Sequence, residues 1–443
     1  MRIFIHDEFD PETTAMLQAL YSRSSESVET HVDLVRRRGS AKFMESYYVG
    51  YGHDSIGDCG TTTMFFEGIS ILAAKAIQDT SLFSGQETST RYIDFAMQPL
   101  IDPIGSAQSQ AYLRRWIDYY QAILPEVQEE LRRQFPASPG AKESVWSKAI
   151  AARAFDIGRG FLPAASTTQT SWITSLRQAH EHLTRLSHHP LAEVREIAGS
   201  AREQLRQRYP SSFSHRLRPE EDHYYESLAD METYLDPNSV AAIVPDFRFE
   251  TDIDNDELER AAGPLLASRP RRAQLPRSLT ELGSYRCTFL LDFGSFRDLQ
   301  RHRNGVCRMP LLSDELGFHP WYIAQLPGSR CAEAEAFIAA QLDEFRLLRS
   351  EHGLDRAAAQ YFLPIGMNVL CRLRYSLPQM VYVAELRSSQ TVHPTLRVVA
   401  QQMASALKRQ HPQLTLHVDT APSELCAKRG EQDIVRRDAK EVV

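Results

Sequence analysis

The chain has 443 residues, a formal net charge of -7, 42% hydrophobic and 24% charged residues, which suits two ordinary domains or one large α+β unit. The acidic balance argues against a general nucleic-acid binder, and no stretch approaches the roughly 20 apolar residues of a membrane span. The start Met1-Arg2-Ile3-Phe4-Ile5 lacks a signal-peptide layout, and the six cysteines, at 59, 287, 307, 331, 371 and 426, form no C-x-x-C pair; reduced thiols in a cytoplasm and no zinc site are expected.

In chain order, the run Thr62–Phe66 has strand character and leads into a helix. Gly85-Gln86-Glu87-Thr88-Ser89-Thr90-Arg91-Tyr92 follows, with an acid, a hydroxyl and a guanidinium at alternating positions. Extended, these would point the same way and could cradle a sugar and a phosphate; taken alone, such a segment is also an ordinary surface turn. Ser106 to Ser147 has the helical spacing Leu113, Trp116, Tyr120, Ile123 and Val127, with a loop at 136–140.

Then come Phe161-Leu162-Pro163, Arg185 and His189-Pro190, and a helical run of Val194, Ile197, Ala201 and Leu205 before Pro210. The acidic stretch 216–240 reads as a connector. Beyond it, the strand-like run Cys287–Phe293 leads to Arg301-His302-Arg303, whose cations could grip a pyrophosphate, although R-H-R alone is a common solvated face. Phe362-Leu363-Pro364, Arg387, His393-Pro394 and the run Leu396, Val399, Met403 and Leu407 before Pro412 close the series.

The ordered series therefore occurs twice. Pro163 precedes Arg185 by 22 residues and Pro364 precedes Arg387 by 23, which marks an internal duplication. No Gly-rich β-α turn and no G-x-x-x-x-G-K-[ST] loop is present, so neither a dinucleotide-binding Rossmann domain nor a nucleoside triphosphatase is expected. Only seven of the 50 basic residues are lysine. Genome composition accounts for that excess as readily as bidentate anion contacts do, and position must separate the two.

Together the motifs resemble those of the flavin-dependent thymidylate synthases, whose motif is R-H-R-x-x-S-x-N-E-x-S-x-R-Y. The first half keeps the right-hand part as Glu87, Ser89, Arg91 and Tyr92, with Asp79-Thr80-Ser81 in place of R-H-R. The second half keeps Arg301-His302-Arg303 and has lost the rest. Gly52-His53-Asp54-Ser55-Ile56-Gly57-Asp58 looks like the family's G-H-x-[ST]-x-x-E-H segment, with Asp58 for Glu and Cys59 for His. Arg159 matches the arginine ahead of the F-L-P proline, where the second half has Gln360. Arg185 with Ser187-His188-His189 resembles the closing N-L-R-x-x-x-H-A-Q signature, whose place Arg387 holds in the second half.

The resemblance implies an α+β fold of two tandem thymidylate synthase-like domains, each a small antiparallel sheet packed with long helices, at 1–215 and 241–443. It implies flavin-dependent one-carbon transfer to C5 of a deoxyuridine monophosphate-like nucleotide, with FAD as cofactor and NADPH and methylenetetrahydrofolate as co-substrates. Arg185 would be catalytic. Glu87, Ser89, Arg91, Arg159 and Arg185 would hold the substrate, and Arg301, His302, Arg303 and Ser55 the flavin. A homodimer would mimic the family's tetramer. The alternative is a nucleotide- or flavin-binding regulator without catalysis. Cys307, Trp172 and Tyr382 are expected in the packed core, and His182, His188 and His189 are not expected to bind metal.

Overall fold

A computed structural model describes residues 8–50, 53–214, 219–236, 247–422 and 425–431; the N-terminal run, Gly52 and parts of the 216–240 segment lie outside the described residues. The architecture is α+β, with long helices around two small sheets. Two compact units are present, Met1–Thr88 with Thr168–Tyr234, and Ser89–Thr167 with Leu235–Val443. The units thus divide the chain differently from the sequence halves, since 89–167 belongs with the C-terminal residues.

In the first unit the helix Pro11–Tyr21 starts at Asp10, whose side chain accepts from the backbone of Glu12 and Thr13, with proline at the first turn. It joins the helix Val28–Arg38 through Met16, Leu17, Val32 and Val35. Strand β1 (Thr61–Ser70) pairs with β2 (Thr167–Ser175), and each runs straight into a helix, Ile71–Gln78 and Leu176–Leu186. The changeover is made by a serine cap: Ser70 Oγ accepts from Ala73 N and Ser175 Oγ from Gln178 N. The acidic segment is a helix over Pro219–Glu232. It lies within this unit, so the expected connector is in part a regular element: its Glu220-Glu221-Asp222 first turn suits a helix N-terminus.

The second unit holds the antiparallel sheet β3-β4-β6-β5, formed by Arg248–Thr251, Tyr285–Asp292, Asn368–Tyr375 and Gly305–Arg308. The β4–β6 ladder pairs Tyr285 with Tyr375 through to Asp292 with Asn368. Again the strands run into helices, Phe293–Gln300 capped by Asp292 and Leu377–Arg387. The helices Ala107–Gln134 and Glu143–Gly158 cover the core with Trp116, Tyr112 and Tyr120 fully buried. Both sequence halves therefore carry strand, helix, F-L-P, strand, helix and a final long helix, Ala192–Arg208 or Pro394–Gln410.

The two F-L-P segments, both in the second unit, pair with each other. Pro163 faces Pro364 in an antiparallel bridge. Ala164 N donates to Leu363 O at 2.8 Å and Ile365 N to Leu162 O at 2.8 Å; Ala165 N donates to Tyr361 O and Gly366 N to Gly160 O. Each bond has its mate under exchange of the two copies, which is the signature of an isologous contact. The prolines at the centre cost nothing, because the neighbouring residues make all four bonds.

Two expectations about packing divide. Trp172 is buried at 1% exposure, whereas Tyr382 is 45% exposed and meets His302 edge-on at 5.8 Å. Its apolar neighbours Val381 and Val383 turn inward and leave it on the outer face of the helix.

Candidate functional site

The second unit brings together Ser89, Arg91, Arg159, Arg301, His302, Arg303 and Arg387; Ser55, Glu87 and Arg185 belong to the first. The helix Phe293–Gln300 delivers R-H-R at its C-terminal end and places Asp298 one turn earlier. Asp298 is the hub. Its carboxylate lies 3.8 Å from both Arg301 and Arg159, and its backbone carbonyl accepts from Arg387 Nη2 at 2.6 Å. Burial alone would raise its pKa, yet Arg301, Arg159, Arg387 and Arg91 hold it well below the usual carboxylate range.

His302 is buried, and its Nε2 accepts from Arg387 Nε at 2.7 Å. Burial first, then the Arg387 charge, pushes its pKa down to about 3. The ring is therefore neutral with its proton on Nδ1. Arg387 has as partners this imidazole and a carbonyl, and no carboxylate within ion-pair distance among the described residues. Burial and then Arg301 likewise press Arg297, inside the same helix, down to about 10. Arg301, by contrast, is 42% exposed.

The arginines expected at the nucleotide are held internally. Arg91 Nε meets Asp156 Oδ1 at 2.7 Å and Nη2 meets Oδ2 at 3.2 Å. Burial would raise the Asp156 carboxyl, but Arg91 and then Arg429 keep it far below the ordinary range. Arg159 is 1% exposed and donates to Ser295 Oγ at 2.8 Å, with Asp292 at 3.7 Å. Asp292 also accepts from Thr395 at 2.5 Å and Tyr322 at 2.7 Å.

Glu87 accepts from Gln78 Nε2 at 2.7 Å, and the Ser89 hydroxyl accepts from the backbone of Arg91. The turn after Thr88 breaks the extended run that would have aligned them. Arg303 donates to the carbonyl of Arg301.

In the first unit Arg185 is exposed near the end of its helix and makes no ion pair among the described residues. Ser55 is exposed on the short helix Asp54–Gly57. Asp58, standing for the family's glutamate, accepts from Arg177 and Ser175. The first-unit histidines have backbone or carboxylate partners: His182 binds Ile77 O, His189 Nδ1 accepts from Leu191 N, and His188 meets Asp222. Among the described residues no group of three or more His, Cys, Asp or Glu is placed to hold a metal ion, and no helix is long and apolar enough to cross a membrane. Cys307 is half-buried on β5 opposite Leu373.

Sequence reasoning missed Asp156, Asp298 and Arg429. Only Asp298 carried a local signal, three residues before Arg301 on a helix face; the other two meet their partners over 65 and 273 residues of chain.

An α+β protein built from a repeated strand-to-helix unit, with arginines of both repeats around one aspartate, fits the nucleotide-handling class that its motifs suggest. Residues 5–211 of the chain match the family described as thymidylate synthase complementing protein. It is 26% identical over 430 residues to a UPF0159 protein of Chlamydia muridarum, covering 84% of this chain and 79% of the relative. It is 25% identical over 469 residues to a UPF0159 protein of Thermoplasma acidophilum, covering 90% and 93%.

Proposed function

We propose that the chain is a thymidylate synthase-like enzyme performing flavin-dependent one-carbon transfer to C5 of a uridine nucleotide, with 1–215 and 241–443 as copies of one ancestral domain. The supporting observation is the charge around Asp298. Arginines from the first half (Arg91, Arg159) and the second (Arg301, Arg387) all act electrostatically on that carboxylate, while Arg91 is bonded to Asp156 and Arg159 also faces Asp292. Such an excess of guanidinium over carboxylate favours a polyanion. The donor set fits the pyrophosphate of FAD, since Arg301 opens to solvent and Arg387, among the described residues, is bonded to an imidazole and a carbonyl rather than to a carboxylate.

Arg301, His302 and Arg303 would hold the flavin, with Ser55 contributing. When bound, flavin supplies the redox and carbon-carrier chemistry, with NADPH and methylenetetrahydrofolate as co-substrates. Glu87, Ser89, Arg91 and Arg159 would hold the sugar and phosphate of a deoxyuridine monophosphate-like substrate. The exposed guanidinium of Arg185 would stabilise negative charge growing on the pyrimidine as C5 becomes nucleophilic. The setting is a cytoplasmic homodimer with no nucleic-acid or membrane partner.

A second reading has its own observation. Arg91 and Arg159 are already paired with Asp156, Asp292 and Asp298, as arginines are once they serve the fold. A nucleotide- or flavin-binding regulator without catalysis would look like this.

The visible spectrum of the purified chain separates the two. Flavin absorbance bleached by NADPH and perturbed by deoxyuridine monophosphate is the enzyme's result; nucleotide binding by a colourless protein is the regulator's. The double variant Arg301→Ala, Arg303→Ala should lose bound flavin, and retention of the chromophore would overturn the assignment of R-H-R.

A further inference from the structure

The C-terminal segment supplies a guanidinium that no motif contains. The short helix Lys428–Glu431 packs on Glu143–Gly158, the helix that ends beside the F-L-P segment and carries Asp156. The seat is tight: a Cβ on Gly430 would lie 1.8 Å from the carbonyl oxygen of Val145. From this helix Arg429, 5% exposed, reaches both oxygens of Asp156, Nη1 to Oδ2 and Nη2 to Oδ1 at 3.2 Å. Its Nη2 also donates to the backbone carbonyl of Arg91 at 3.1 Å, and the guanidinium lies 5.0 Å over the Tyr92 ring.

Two guanidinium forks thus share one carboxylate. Arg91 alone with Asp156 would form a formally neutral pair. With Arg429 present the trio keeps one positive charge, while the Arg91–Tyr92 turn is held through its backbone and its ring. The Thr391 carbonyl, which accepts from Arg91 Nη2 at 3.0 Å, fixes the other side of the same fork.

We infer that Arg429 is a positioning residue for the phosphate of the nucleotide, one that leaves the Arg91–Asp156 pair with a net positive charge toward the ligand by sharing Asp156 and that pins the turn bearing Arg91. This rests on the nucleotide-binding reading above. Arg429 acts through Arg91 and need not touch the ligand. The short helix Lys428–Glu431 is then part of the site, although the family motifs end far upstream.

The test is calorimetric titration of the full-length protein with deoxyuridine monophosphate, and with inorganic pyrophosphate as a probe lacking the base, at two salt concentrations. Arg429→Ala, which leaves the Arg91–Asp156 pair formally neutral, should weaken nucleotide binding about tenfold and flatten its salt dependence. Arg429→Lys should recover part of the loss, because the ammonium restores the charge but not the fork. Gly430→Ala, which pushes the helix off its seat while keeping the arginine, should reproduce the Ala variant. Unchanged or tighter binding in the folded Ala and Lys variants would overturn the role of Arg429 alone. Failure of the unaltered protein to bind either anion would overturn the nucleotide reading and this role with it.

Discussion

Replacing Asp156 by Asn should be among the most damaging single changes in the chain. The carboxylate is 1% exposed and faces Arg91 and Arg429, which are 12% and 5% exposed. Asparagine keeps the shape but turns an amide toward donors, leaving two buried cations uncompensated. Breaking a buried pair costs about 3–5 kcal/mol. Arg91 retains some contact with water, so the lower end, about 3 kcal/mol, is expected, which is a loss of roughly two decades in the folding equilibrium. At a few degrees per kcal/mol, the melting temperature should fall by roughly 5–10 °C.

Calorimetric melts of the full chain at neutral pH measure this directly. Because the Asp156 carboxyl is held below its unfolded pKa, near 3.9, its stabilisation is fully present above that value and is lost as pH falls toward the folded one. The gap between parent and variant should therefore be level from pH 8 to about 5 and narrow below about 4. Adding Arg429→Met to Asp156→Asn should recover part of the loss by removing one stranded charge. A single variant melting within about 1 °C of the parent at pH 7 would refute the reasoning.

Two further outcomes concern His302 and Gly366. His302, with its pKa pushed to about 3 by burial and Arg387, stabilises the fold above its unfolded pKa near 6.5 and loses that contribution as pH falls toward 3. Nitrogen NMR of labelled histidine should show a neutral ring protonated at Nδ1 at pH 6, and His302→Gln should give a shallower fall of stability between pH 6.5 and 4; an imidazolium signal at pH 6 would contradict the assignment. Gly366→Ala would place a Cβ 2.6 Å from the Gly160 carbonyl oxygen and 2.5 Å from the Phe318 ring. Denaturant unfolding should show a loss of about 1–3 kcal/mol, and an unchanged midpoint would mean that the paired F-L-P segments yield more readily than their packing implies.

Much of the fold was legible. The spacing Leu113, Trp116, Tyr120, Ile123 and Val127 marked the helix Ala107–Gln134, the loop at 136–140 was placed, and the two final helices and the strand-to-helix runs appeared where apolar periodicity put them. Local pattern carries that information. The carboxylates were not legible, because Asp156 and Asp292 acquire their meaning only when distant segments close on them. Tyr382 misled for the converse reason: apolar neighbours do not say which face of a helix a ring takes. The repeated series of motifs was visible in spacing, but the grouping of 89–167 with the C-terminal residues depends on tertiary contacts that no spacing records.

The mated bonds between the two F-L-P segments have a consequence for how this molecule can change. In an assembly of identical copies every substitution arrives twice, once on each side of the axis, so a residue suited to one side must also be tolerated on the other. Here the two sides are separate codons. At matching positions before the F-L-P, Arg159 reaches toward Ser295 and Asp292, while Gln360 accepts from the backbone of Leu312 at 2.9 Å. A charged group on both sides would have needed two sets of buried carboxylates. If the two halves descend from one ancestral domain, their joining in one chain leaves each side of this contact free to change without the other.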